Sequence, residues 1–510
     1  MKDRTAWWFS ALVPPSLIPK LVENSGGWDI HIGDGHPAVW TIRSDDQMKR
    51  VYTPFGNKNG IEPLAIDRTF HGIRGDFIEV SQEYRLYHNL YPEPSKSRFL
   101  LIDDNGDESE AIRYGADFLE IRTDLLLEFC GVKQMAIAIY VDSSRDSKLS
   151  LAQLGLEEVE VNQSGSRFEY FLAVVARDQT FEKTLGTLGH IVGKKYILPG
   201  PFPPERSESN EDYQEFIIDT DSSGKAIRHS CDPDLLANYF GKNPNAPHYL
   251  TPVFFRPEVL AKYYADPRKY SVEDGYLRCG SLWGLRMDND HPDVVMVYLG
   301  DLGRDLTETE RHYWLSFNIA PAGRTISRTA FDRGFRAVFA DPQKPDLIFK
   351  QEYQQFNRSF REANGWDFYQ PLHGDDEHFL TGLRLLLTDN QAEFDSQLIA
   401  LTKVLIDSLN ESEIAKRVTT LTANDKGITK LEKFLKEGGG VGYDSHTRFL
   451  RVLQDLRSKS AAHRKGSSYD MLVADLNMAD AGQQRVFADL LTAATSLIRY
   501  LRDTLIRIRP

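Results

Sequence analysis

Between positions 198 and 204 the chain reads Leu-Pro-Gly-Pro-Phe-Pro-Pro, and an acidic run follows from Glu205 to Asp212. Prolines at this density fix φ and remove backbone donors, so neither a helix nor a central strand can pass through. The chain must be partitioned here. At 510 residues it is also longer than one hydrophobic core usually serves, so several domains are expected. The reading is an α+β multidomain protein: an α+β domain over 1–200 with a sensor or regulatory role, a strand-rich aromatic α+β domain over 201–390, and an all-helical domain over 391–510.

The first region mixes strands and helices without regular alternation. The N-terminus, with Trp7 and Trp8, reads as an early strand rather than a signal peptide, because Pro14 and Pro15 cut its apolar stretch short. Trp28 to Ile32 alternates like a strand and enters the turn Gly33-Asp34-Gly35. Phe99 to Ile102, stopped by Asp103-Asp104-Asn105-Gly106, predicts a hairpin. Helical spacing is read over Phe118 to Lys133, and strands over Met135 to Val141 and Phe168 to Val175.

The middle region opens with a hairpin around Asp221 to Gly224. It continues through apolar runs at Tyr276 to Leu285 and Val294 to Leu299, separated by a turn-rich Asp288 to Asp293, and ends in short helices about Phe331 to Phe339 and Tyr353 to Glu362. From 391 onward the pattern becomes helical. Phe394, Leu398, Leu401 and Leu405 share one face, and Ile428 to Leu435 form a shorter one. Gly438-Gly439-Gly440-Val441-Gly442 breaks the chain, and Asp444 or Ser445 can cap the next helix. The last helix is expected over about Gly482 to Ile508.

No window approaches the roughly 20 apolar residues of a membrane span. Three isolated cysteines, Cys130, Cys231 and Cys279, support neither a disulfide framework nor a thiolate zinc site, and a reducing cytoplasm fits them best. A net charge of −13 argues against a protein coated in nucleic acid. Residues 442–510, however, carry eleven Lys/Arg against seven Asp/Glu, so any contact with a polyanion belongs there.

Within that segment, Arg457 and His463 bring a fixed cation and a group that titrates near neutrality close together, with Lys459, Arg464 and Lys465 adding a basic surface for RNA. Such a pair suffices for metal-free RNA scission: histidine moves the proton of a ribose 2′-hydroxyl and arginine holds the phosphate. On one unbroken helix, six positions would separate the two side chains by about 120°, so a helix break or a second subunit must help. The bland reading is a basic helix end with Arg457 in a surface ion pair.

An arginine, five residues and a histidine at the end of an amphipathic helix resembles the HEPN superfamily motif. The resemblance covers at most the last 120 residues. It implies a homodimeric helical domain whose two motifs line a shared cleft, metal-independent endoribonuclease activity, and an effector role in bacterial toxin or antiviral defence systems. Arg457 would hold the scissile phosphate and His463 would transfer protons, with no metal and no cofactor. Ser458 follows the arginine where many members carry Asn, Asp or His.

Other constellations compete. His373, Asp375, Asp376, Glu377 and His378 could ligate a divalent metal, though acidic residues there also suit a helix start. His31, Asp34 and His36 form a looser cluster around a turn. Arg324, Arg328, Arg333 and Arg336 lie near Trp314, Phe317, Phe331 and Phe335 in sequence, a combination that could meet the phosphates and bases of nucleic acid or could simply be core and surface. No phosphate loop or dinucleotide fingerprint stands in usable context. The rival to the ribonuclease is a non-enzymatic sensor or scaffold that dimerises through its helical domain and binds a protein partner.

Overall fold

The computed structural model describes residues 2–23, 38–44, 47–53, 60–116, 118–179, 184–203, 212–291, 293–334, 336, 339–458 and 482–506. It is an α+β multidomain protein with several small sheets and a helical C-terminal region. Contacts group the chain into two compact units, residues 1–103 with 107–210 and residues 104–106 with 211–510.

The first unit is built on a six-stranded antiparallel sheet. Its strands are β1 (Lys2–Val13), β2 (Glu62–Pro63), β5 (Ala136–Ser147), β6 (Val159–Gly165), β7 (Phe168–Gln179) and β8 (Thr184–Ile197), in the order β6-β7-β8-β5-β1-β2. β1 pairs with β5 so that Leu12 faces Ile137 and Ala11 faces Ala138. The period of two then divides the core. Leu12 and Ile137 pack with Tyr84 and Phe129 on one face, while Ala11, Val13, Ala136 and Ala138 pack with Tyr140 and Tyr196 on the other. Between β2 and β5 come the hairpin β3 (Arg98–Ile102) and β4 (Glu108–Tyr114), closed through Gly106 at φ +77°, and helix α1 (Thr123–Lys133).

Residues 118–133 are not one helix. Leu119 to Ile121 form a strand that pairs with β4, Leu119 opposite Tyr114, and Arg113 grips Glu120 across the pair at 2.5 Å. Period-two alternation over these residues outweighs the weak helical spacing. The strand read at Trp28 to Ile32, with its turn, lies outside the described residues.

Among its described residues the second unit has a helical core, a strand-rich core and a small third cluster of Phe254, Val294 and Met296. The strand-rich part has the hairpin β9 (Glu215–Thr220) and β10 (Ala226–Ser230), then β11 (Pro252–Phe255), β12 (Tyr270–Glu273), β13 (Tyr276–Cys279), β14 (Trp283–Arg286) and β15 (Val295–Tyr298). The apolar run read over Tyr276 to Leu285 is two strands, β13 and β14, turning at Gly280 with φ +50°. Gly284 is needed because the Tyr276 ring lies over it; a Cβ would fall 2.6 Å from that ring. Helix α2 (Glu308–Leu315) closes this core with Trp314, which is fully buried.

The segment Asp288-Asn289-Asp290, read as a turn-rich separator, is buried. Asp290 accepts hydrogen bonds from Thr329 Oγ1 and from the amides of Gln343 and Lys344, and Asp288 accepts from the amide of Ser327. It thus anchors Ser327 and Thr329 as well as Gln343 and Lys344. Helix α3 (Arg328–Gly334) stops before the expected Phe339.

The helical core runs from Phe349 to Leu501. Helix α4 (Pro345–Asn364) opens on Pro345, at a position where the missing N–H would have had no helical partner, and ends at Gly365 in the left-handed region, φ 76°. It buries Phe349, Tyr353, Phe356 and Phe360 on one stripe, so the short helix expected from Tyr353 is twenty residues long. Around it lie α5 (Gln391–Thr402), α6 (Gly427–Glu437), α7 (Tyr443–Leu456) and α8 (Gln483–Leu505). Arg499 and Arg502 of α8 clamp Glu352 of α4 at 2.7 and 2.6 Å. The cap of α7 is Gly442, φ 84°, not Asp444 or Ser445; the glycine-rich break itself supplies the turn, and Ser445 Oγ donates back to the Gly442 carbonyl.

Candidate functional site

Helix α7 buries Thr447, Leu450, Leu453 and Leu456, so the residue after Leu456 leaves the core at the bundle edge. That residue is Arg457, still helical at φ −56° and ψ −47°. Its partner comes from α5, which continues into a π-helical turn over Lys403–Asp407. The wider turn keeps Val404 and Leu405 fully buried and ends on Asp407. Arg457 Nη1 reaches both carboxylate oxygens of Asp407 at 3.0 Å, with each side chain about one-third exposed, 33% and 34%. One nitrogen makes both contacts. Among the described residues, the Nε and Nη2 edge of the guanidinium has no partner.

His463, Lys459, Arg464 and Lys465 lie outside the described residues, as do His31, Asp34 and His36. Of the other candidate metal group, Asp376 approaches Lys403 Nζ at 3.9 Å and the His378 ring packs on Phe379 with centroids 4.0 Å apart. These residues form a 3₁₀ turn, Gly374–Asp376, and a one-turn helix, His378–Thr381. Among the described residues no three His, Cys, Asp or Glu side chains gather as a metal site.

The arginines at 324–336 are engaged locally. Arg333 forms a two-pronged pair with Asp274 at 2.8 and 2.6 Å, which holds its pKa above the usual arginine value. Arg328 and Arg336 both reach Asp332, and Arg324 donates to the carbonyls of Ala320 and Pro321. Trp314 is core and Phe317 packs against that core, while Phe331 is 46% exposed and Phe335 lies outside the described residues.

The sequence reading missed a trough along α4. Two adjoining cavities of about 820 and 540 Å³ share Gln354, Leu380 and Thr381. Lys350 stands in the larger one, its amino group donating to the Thr381 carbonyl at 2.8 Å, and burial lowers its pKa to about 8. Helical spacing at Lys350, Gln354, Asn357 and Arg361 would have placed these polar groups on one face, but nothing in the sequence shows what stands opposite. No helix among the described residues is long and apolar enough to cross a membrane. No protein-family model, no curated protein and no solved structure matches the chain.

Proposed function

We propose that the C-terminal helical region is a metal-independent endoribonuclease effector of a bacterial defence or toxin-type system, acting as a homodimer and regulated by the regions that precede it. The observation that carries this reading is the single-nitrogen contact of Arg457 with Asp407, which orients the guanidinium and, among the described residues, leaves its Nε and Nη2 edge without a partner and so able to meet a phosphate. The resemblance of Arg457 and His463 to the HEPN motif and the basic balance of residues 442–510 support it as well.

In the proposed reaction His463 removes the proton of a ribose 2′-hydroxyl, and the 2′ oxygen attacks the adjacent phosphorus. The bond from phosphorus to the 5′ oxygen breaks, that oxygen takes up a proton, and a 2′,3′-cyclic phosphate remains. Arg457 holds the phosphate and the charge that grows on it. Lys459, Arg464 and Lys465 would bind flanking phosphates, an attraction that weakens with salt.

The test is cleavage of a mixed RNA pool in the presence of a chelator, comparing the full chain with His463→Ala. Cleavage by the unaltered chain alone, leaving 2′,3′-cyclic ends, is expected. Intact RNA in both reactions, or equal cleavage in both, rejects the reading.

A further inference from the structure

The trough on α4 is a second candidate site, and it does not depend on the ribonuclease reading. From Lys350 to Arg361 it follows α4 for eleven helical steps, about 16 Å at 1.5 Å per residue. One wall comes from the strand-rich core, residues Ser271 to Asp274 at the end of β12, and the other from Leu380 and Thr381. An occupant of the larger cavity would therefore touch both the strand-rich and the helical parts of the second unit.

Its polar groups are unevenly satisfied. Among the described residues Lys350 has no carboxylate within 4 Å, and its amino group donates to the Thr381 carbonyl. In the wall of the smaller cavity the Tyr369 hydroxyl and the Asn357 Oδ1 are buried without hydrogen-bond partners among the described residues, and Tyr369 is only 2% exposed. Buried groups left unpaired cost on the order of 1–3 kcal/mol each, a cost that a ligand bonded to them would offset. Arg358, on the rim, makes no ion pair among the described residues, and Arg361 faces Asp367 at 3.5 Å.

We propose that this trough binds a small phosphate-bearing metabolite of nucleoside-monophosphate size, with its anionic group at Lys350 and its hydroxyl and ring-edge groups turned toward Asn357 and Tyr369. The volumes are in the range of sites that enclose such ligands, which is about 300–1,000 Å³. A ligand oxygen can accept from the Tyr369 phenol, and a ligand O–H or N–H can donate to the Asn357 oxygen. The carboxylates around the trough, Asp341, Glu362 and Glu377 among them, oppose a long polyanion but tolerate a ligand with one anionic group seated on a cation. This separates the site from any RNA track.

The experiment uses the full chain with AMP, ribose 5-phosphate and inorganic phosphate as probes in titration calorimetry, alongside Lys350→Gln. AMP should bind saturably and at least tenfold more tightly than inorganic phosphate, and Lys350→Gln, at an unchanged melting temperature, should lose at least tenfold. Peptide mapping after treatment with a small amine-reactive ester gives a second readout on the unaltered chain: Lys350 should label with a midpoint near pH 8 and be shielded by AMP. Absence of saturable binding by all three probes, equal affinity for all three, or labelling of Lys350 unaffected by AMP would overturn the assignment. Neither readout involves RNA cleavage, so its outcome is independent of the ribonuclease test.

Discussion

Replacing Arg457 by alanine separates a chemical role from a structural one, because the two predict different magnitudes. The pair with Asp407 is about one-third exposed on both sides, and pairs of that exposure contribute roughly 0–1 kcal/mol after solvent screening. The second unit spans residues 211–510, roughly 300 residues, for which an unfolding entropy of about 2.1 cal/mol/K per residue gives about 0.6 kcal/mol per degree. Arg457→Ala should therefore lower the melting temperature by no more than about 2 °C. Removal of a donor that stabilises charge in the transition state costs about 10²- to 10³-fold in rate. The assay is a single-turnover cleavage time course with chelator, run beside a thermal melt of the same preparation. A melting loss above about 5 °C would show Arg457 to be a structural strut, and an unchanged rate would remove it from the chemistry; either refutes the reasoning.

Glu310 supplies the contrasting case. It is 1% exposed, accepts from Lys262 Nζ and from the Tyr263 hydroxyl at 2.6 Å each, and Tyr263 in turn accepts from Trp314 Nε1 at 2.7 Å. Glu310→Ala removes both charge-assisted bonds and strands a buried hydroxyl, so chemical denaturation should report a loss of about 3–5 kcal/mol, and a loss under about 1 kcal/mol would contradict the network. Glu437 at the end of α6 accepts from the amides and hydroxyls of Thr419 and Thr420, which holds its pKa at about 2. Because the folded value lies below the ordinary 4.5, its contribution is present above pH 4.5 and is lost as pH falls toward 2. Acid titration of Glu437→Gln should accordingly show a smaller loss of stability over that window, and an identical profile would argue against the assignment.

Elements with a strong local signal were legible before any coordinates. The hairpin at Asp103 to Gly106 follows from turn chemistry, and α7 and α8 follow from leucine spacing. Boundaries were less so. Gly442 rather than Asp444 starts α7, because left-handed backbone at a glycine can open a helix without a side-chain cap. The start of α4 at Pro345 has little local signal, since its first turn is apolar and polar by turns, and its Asp346 is held by the distant Leu385 amide. The Asp288–Asp290 segment reads as turn-rich on composition, and only the structure shows its carboxylates buried and holding Ser327, Gln343 and Lys344.

By itself the sequence determined the mixture of strand-rich and helical regions and the spacing of six positions between Arg457 and His463 along the chain. These depend on periodicity and on residue order, which are properties of neighbours along the chain. The tertiary structure decided that Asp407, fifty residues earlier, holds Arg457 by one nitrogen, and that Lys350 stands in a trough with the Thr381 carbonyl as its partner. Such pairings depend on which surfaces close against each other, and the free energy of burying those surfaces is a property of the whole packed core rather than of any local stretch.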